Sequence, residues 1–271
     1  MKKNIFFLSK DRWGSDTLRK QVEALYKNNQ ITIFVEPNQL DEYTEALSKY
    51  GVSFICHKDN NLGNSYAQYN AYTTGLKSRE DFFILDDDTI TIMEMQGEKQ
   101  VNLGIEKLDE ALDYLATSHY YLTSLCFKHL QWCVKEDFKP FGRIGCVIFL
   151  NNKVLSNDIR NELIERLSDY NYMAYRLYED VFISGLFLVL GLQTGICYRY
   201  SFQSTPMTKN PGGCSDDYKN NQQRLCAEEL YKIFGCGFSQ VINNKGRTEI
   251  KIQWKKLFEA RYKDKNQKKL F

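Results

Sequence analysis

The sequence predicts an α/β fold, a doubly wound and mostly parallel sheet flanked by helices, with a more mixed C-terminal part. Three observations predict it. Short β-rich apolar runs alternate with segments of helical apolar spacing through the first third of the chain. The links between them are short and carry turn chemistry, with Pro37 closing a strand and Gly51 closing a helix. A carboxylate triplet, Asp86, Asp87 and Asp88, ends the fourth apolar run. Sheets of this class bind ligands at the carboxyl ends of their strands.

Residues 4–8 (NIFFL) read as the first strand, and residues 16–28 put Leu18, Val22, Leu25 and Tyr26 on one helical face. Residues 31–35 (ITIFV) make a second strand stopped by Glu36 and Pro37. A helix over 40–50, a strand over 52–56, a helix over 63–76 and a strand over 82–85 follow. Ser9, Arg12, Glu36 and Asp86 to Asp88 then share the carboxyl ends of parallel strands. Beyond them we expect a helix over 105–125, a strand over 145–151 and a helix over 156–167. A nearly all-apolar helix over 179–190 comes next, then a strand over 193–200, a helix over 226–234 and a strand over 248–253. No repeat or low-complexity segment appears, and we read residues 1–271 as one domain.

Composition excludes several classes. Hydrophobic residues at 43% and charged residues at 26% are ordinary for a globular chain. The apolar start is too short for a signal peptide, and residues 181–191 are too few to span a bilayer. No membrane partner is expected. The eight cysteines show no CxxC spacing, which predicts an intracellular, reduced protein with free thiols. His57, beside Cys56, reads as strand-end filler. The net charge of +2 hides an asymmetry: residues 251–271 hold eight basic and two acidic side chains. That tail suits phosphate backbones, or equally a helix end that favours cations. No P-loop and no GxGxxG occurs, which removes support for nucleotide hydrolysis and dinucleotide redox chemistry.

Three acids at the end of a buried strand repel one another unless a cation neutralises them. Magnesium and manganese take one or two carboxylates together with substrate phosphates. A solvated acidic turn is the alternative. Glu179 and Asp180 open the apolar helix, where they are either acidic caps or a general base for a hydroxyl nucleophile. Arg12 suits a diphosphate, or a surface pairing with Asp11 or Asp16, and Arg143 offers similar chemistry. Gly212 and Gly213 make either a close backbone approach to a ligand or a connecting loop.

An Asp-x-Asp motif ending the fourth strand (Asp86, Asp88) and a later Glu-Asp pair resemble the GT-A glycosyltransferases. More narrowly, the chain is similar to the TET-associated glycosyltransferases and their bacteriophage relatives that modify 5-hydroxymethylcytosine in DNA. These relatives include enzymes that glucosylate β-glucosyl-hydroxymethylcytosine. The matching pieces are SKDRW, FVEP, LDDD, YEDVFISGLFLVLG, PGG and IQWKKL, spread from Ser9 to Leu257. The first turn departs from Ser-Arg-Gly-Arg, because Lys10 and Asp11 separate Ser9 from Arg12.

The resemblance implies a GT-A-like fold and the following roles. Ser9, Arg12, Glu36, Asp86, Asp87 and Arg143 would contact a nucleotide-sugar donor, UDP-linked. Asp86 and Asp88 would form the shell of a divalent metal, Mn²⁺ or Mg²⁺, on its diphosphate. Asp180 or Glu179 would deprotonate the acceptor, with inversion at the sugar, and Gly212 and Gly213 would meet the acceptor. Residues 1–100 would be the donor half, 101–250 the acceptor half and 251–271 a basic tail. The acceptor would be hydroxymethylcytosine, bare or already glucosylated, in double-stranded phage DNA, and the sugar glucose or a pentose. The setting would be the bacterial host's cytoplasm and the purpose restriction evasion. A flipped base would need aromatics such as Tyr66, Tyr69, Tyr72, Tyr170, Tyr172 and Tyr175, which core packing explains equally well. A GT-A enzyme acting on a saccharide or lipid-linked acceptor, and a noncatalytic DNA-binding module, are the alternatives.

Overall fold

The computed structural model describes residues 2–133, 135–172, 174–205, 222–244 and 247–263. The first strands are apolar on both faces because helices cover both. They are β1 (Asn4–Leu8), β2 (Gln30–Val35), β3 (Ser53–Cys56) and β4 (Phe82–Asp86). Between them run α1 (Asp16–Leu25), α2 (Leu40–Leu47) and α3 (Asn64–Ser78). These four strands pair in parallel in the order β3-β2-β1-β4. Leu8 is in register with both Phe34 and Asp86, and Val35 with Cys56. The residues that follow, Ser9, Glu36, His57 and Asp87, therefore emerge along one edge of the sheet.

The hairpin β5 (Thr89–Gln96) and β6 (Lys99–Gly104) comes next, then α4 (Leu108–Leu115) and β7 (Leu122–Phe127). β8 (Phe138–Pro140), β9 (Val147–Leu150), α5 (Asn157–Asp169), α6 (Glu179–Val189) and β10 (Thr194–Ser204) complete the large sheet and its layers. β9 runs antiparallel between β4 and β7. β10 lies parallel to β7 and antiparallel to β5, giving the order β3-β2-β1-β4-β9-β7-β10-β5-β6, with β8 on β10. Beyond lie α7 (Gln222–Phe234), the separate hairpin β11 (Ser239–Asn244) and β12 (Arg247–Ile252), and α8 (Trp254–Lys263).

Side chains alternate across the strands and build two cores. Phe6, Leu8, Phe34 and Ile84 meet α3, α5, α6 and α7 on one face. Ile5, Phe7, Ile33 and Leu85 meet α1, α2 and α4 on the other. The expected α/β class, with helices on both sheet faces, is the observed one; its run of four parallel strands is that of the first third, and β7 with β10 adds one more parallel pair.

Three expectations fail locally. The helix expected over 105–125 is a 3-10 turn plus α4, and residues 122–127 are strand β7. Strand β7 (LTSLCF) is buried on both faces and holds Thr123 and Ser124 at its centre, so it lacks the polar–apolar alternation that marks a strand by periodicity. The β5–β6 hairpin was not expected, although Thr89-Ile90-Thr91-Ile92 alternates as a strand should. Strand β10 continues past Tyr200 to Ser204, and β11 and β8 are additional.

A buried serine ties α6 to the segment that leads into β9. The Ser184 hydroxyl donates to the Asp180 carbonyl at 2.6 Å and accepts from the Ile144 N–H at 3.0 Å. Ser184→Ala orphans that buried N–H and is expected to cost about 1–3 kcal/mol, read from urea unfolding midpoints. No loss of stability would show the clamp to be inert.

Candidate active site

A cavity of about 480 Å³ opens at the carboxyl ends of β1, β2 and β4, a size common for small-molecule sites. Nine sequence-nominated residues line it: Ser9, Arg12, Glu36, Asp86, Asp87, Asp88, Arg143, Glu179 and Asp180. Gly212 and Gly213 lie outside the described residues.

The turn between β4 and β5 carries the acids. Asp87 is buried, and both of its oxygens are engaged within the protein. Ser9 Oγ donates to Oδ2 at 2.6 Å, and Arg12 Nη1 ion-pairs with Oδ1. Burial raises the Asp87 pKa to about 6, against the downward pull of Arg12. Asp87 thus holds Ser9 and Arg12 in place. The Tyr43 hydroxyl, 2.6 Å from Ser9 Oγ, accepts from the Arg12 N–H at 3.1 Å and braces the turn after β1. Lys10, which with Asp11 separates Ser9 from Arg12, ion-pairs with Glu36 at 3.1 Å, and Glu36 also accepts from the Asn61 N–H at 2.8 Å.

Asp86 and Asp88 are less satisfied. Burial first, and Asp88 second, push the Asp86 carboxyl well above the usual range. Burial raises Asp88 too, opposed by Arg12, whose Nη1 stands 3.6 Å from Oδ2. Asp88 Oδ1 and the Ser204 hydroxyl are buried and make no hydrogen bond of good geometry, although Ser204 is near enough to favour the ionised Asp88. Three carboxylates against one guanidinium leave uncompensated negative charge. Among the described residues no three Asp, Glu, His or Cys side chains form a metal cage. The donors present suit instead a hard divalent ion held by one or two carboxylates and completed by a substrate's phosphates.

The opposite wall is the start of α6. Glu179 is buried, and its carboxylate accepts from Asn64 Nδ2 at 2.7 Å and Ser65 Oγ at 3.3 Å. Both donors belong to the first turn of α3, which Gly63 enters at φ 85°. A Cβ on Gly63 would fall 2.6 Å from Arg176 Nε, so glycine lets Arg176 reach the cavity. Asp180 accepts from the Val181 N–H at 2.9 Å through Oδ1 and ion-pairs with Arg143 through Oδ2. Its side chain keeps 20% exposure.

Burial, then Asp180, raises the Glu179 pKa from 4.5 to about 7. A carboxylate raised by folding binds its proton more tightly in the folded state. The stability it contributes is full below pH 4.5 and is lost as pH rises through about 7. The shift corresponds to about 3 kcal/mol. Buried His57, whose pKa desolvation lowers to about 4, works in the opposite direction below pH 6.5. Comparing the wild type with Glu179→Gln isolates the effect. The variant is expected to gain on the wild type as pH rises from about 5 to about 8 in chemical unfolding; parallel curves would refute it.

Sequence reading missed Lys128, His129, Arg176, Tyr178, Gln203 and Ser204, which also line the cavity. Lys128 to His129 follow β7 and Gln203 to Ser204 end β10, so the end of a correctly read strand was the available signal. The tyrosines considered for a flipped base do not line it. Tyr72, Tyr170 and Tyr172 are buried, and a chain of ring contacts runs from partly buried Tyr69 through Tyr172 and Tyr170, which meet edge to face, to Phe182 in the core.

No family model matches the chain, and no curated protein does. Solved structures match in part. The apo-form glycosyltransferase GlyE of Streptococcus pneumoniae TIGR4 is 16% identical with a TM-score of 0.42, over 72% of this chain and 45% of that one. This chain therefore spans less than half the length of GlyE. The inositol-1-phosphate CTP transferase of T. maritima is 12% identical with a TM-score of 0.46, over 77% of this chain and 92% of that one. The mannose-1-phosphate geranyltransferase of Thermus thermophilus is 10% identical with a TM-score of 0.40, over 74% of this chain and 75% of that one.

Proposed function

We propose that the chain is an inverting glycosyltransferase. It moves glucose or a pentose from a UDP-linked donor to 5-hydroxymethylcytosine, or to the sugar already on it, in double-stranded DNA. The observation that carries the reading is the convergence of two acidic centres, Asp86–Asp88 and Glu179–Asp180, on one cavity that also holds Arg12 and Arg143. The first centre has surplus negative charge and an unsatisfied carboxylate oxygen, and the second places a carboxylate where a hydroxyl can approach.

The roles follow from the contacts. Asp88 and Asp86 would hold Mn²⁺ or Mg²⁺, which when bound supplies Lewis-acid stabilisation to the departing diphosphate. Arg12, fixed by Asp87, points the same charge at the donor, and Ser9 and Glu36 border its nucleoside end. Asp180 is the base, because it retains exposure to the cavity, while Glu179 is tied to α3 and fixes the start of α6. Residues 1–100 supply the donor side and residues 101–250 the acceptor side. Among the described residues no helix is long and apolar enough to cross a membrane. We place the activity in the host cytoplasm, protecting phage DNA from restriction.

Incubation with hydroxymethylated and glucosylated duplexes, a panel of nucleotide sugars and Mn²⁺ is expected to add one sugar mass to the modified base. EDTA is expected to abolish the gain and fresh Mn²⁺ to restore it. Transfer to a free saccharide with none to either duplex would overturn the DNA acceptor. Transfer unaffected by EDTA would overturn the metal.

A further inference from the structure

The first cavity gathers the donor-side groups and the base, but the described residues around it include none chosen by sequence for the acceptor. Arg143 also faces a second cavity of about 400 Å³. Its other walls are Gln240 of β11, Ile250, Lys251 and Ile252 of β12, Gln253 and Trp254. We propose that this second cavity is the acceptor subsite, and that it takes one nucleotide unit turned out of a duplex. The ring lies against Trp254 and the phosphodiester lies at Lys251. The inference rests on the reading of Asp180 as the base.

Position comes first. Arg143 lines both cavities and ion-pairs with Asp180, so a group in the second cavity is one side chain from the base. The wall is also braced against the site. Tyr178, immediately before Glu179 and held at φ 63°, donates its hydroxyl to the Thr248 carbonyl at 2.7 Å. Its ring lies 5.7 Å from the Arg143 guanidinium carbon. From the other side, Leu257 and Phe258 of α8 are buried in the core, and Phe258 packs on Phe141 with ring centroids 5.0 Å apart. The hairpin therefore keeps a set distance from the start of α6.

The chemistry of the lining selects the occupant. An indole, two aliphatic side chains and two carboxamides suit a flat ring with polar edges. The two cations, Arg143 and Lys251, suit an anion beside it and disfavour a cationic ligand. A lipid chain would require an apolar lining throughout. Gln240 and Lys251 are direct cross-strand partners, so amide and cation present together. Lys251, Lys255 and Lys256 are exposed at this end of the molecule and extend the positive charge beyond the cavity. An extruded nucleotide, stacked on an aromatic ring and held by its phosphate, meets all of these conditions.

The test uses the whole chain, a UDP-sugar, Mn²⁺ and a duplex carrying hydroxymethylcytosine. Trp254→Ala is expected to raise the KM for the duplex by about ten- to a hundredfold, while the KM for the nucleotide sugar does not follow. Trp254→Phe retains a stacking face and is expected to restore most of the loss. Lys251→Glu is expected to weaken duplex binding and flatten its salt dependence. A wild type that transfers to DNA, with variants of unchanged duplex KM, would overturn the subsite and leave the proposed function standing. A wild type that transfers only to a saccharide would overturn the nucleotide occupant together with the DNA reading.

Discussion

Asp180→Asn is expected to slow sugar transfer at least ~100-fold, because a positioned general base typically contributes that much or more. The substitution keeps the side-chain shape and an oxygen able to accept from the Val181 N–H, now 2.9 Å from Oδ1. It removes the charge that pairs with Arg143, whose side chain is 48% exposed. Ion pairs that open to water are worth about 0–1 kcal/mol, so stability should scarcely change. Single-turnover transfer and urea unfolding measured on the same preparation separate the two effects. Glu179→Gln makes the control, since Glu179, though it lines the cavity, is buried and anchored to Asn64 and Ser65. A larger loss in Glu179→Gln than in Asp180→Asn would reassign the base to Glu179.

Asp88→Ala is expected to cost transfer at least several hundred-fold, on the order of ~4 kcal/mol of electrostatic stabilisation. The unfolding free energy is expected to move the other way or not at all. Burial first, and Asp88 second, raise the Asp86 carboxyl, and Asp88 Oδ1 is buried with no hydrogen bond of good geometry. Removing one of three crowded carboxylates relieves repulsion that Arg12, single hydrogen bonds from Ser9 and Cys146, and nearby Ser204 offset only in part. Loss of activity with retained or increased stability is the signature of a group kept for its ligand rather than for the fold. The affinity for Mn²⁺ in the presence of UDP should fall in parallel. Wild-type Mn²⁺ affinity in the variant would remove Asp88 from the metal shell.

Much of this site was legible because its pieces follow parallel strands. Once β1, β2 and β4 alternate with helices, register alone brings Ser9, Glu36 and Asp87 to one sheet edge. Glu179 and Asp180 were legible as two acids opening an apolar helix. That they face Asp86 to Asp88 was not, since nothing local relates α6 to β4. Lys128 and Ser204 were missed for a different reason. β7 is buried on both faces without alternation and passed for helix, and β10 runs on to Ser204, beyond its apolar pattern, through an irregularity between Cys197 and Ser201. The tyrosines show the converse. Their number suggested a groove, but Tyr72, Tyr170 and Tyr172 pack beneath α6, where burial of a large ring outweighs an unsatisfied hydroxyl.

Local order along the chain was enough for the α/β class, the parallel strands, the acidic strand end and the apolar helix with its acidic start. These depend on hydrophobic period and on the chemistry of neighbours, both of which a linear sequence carries. Tertiary packing alone decided that Asp87 is consumed by Ser9 and Arg12, that Asp88 keeps an unused oxygen, and that Glu179 is anchored while Asp180 stays open. It alone also set Arg143 between two cavities. The reason is that desolvation and ion pairing depend on distances of a few ångströms between residues remote in sequence, and only the folded chain sets those distances.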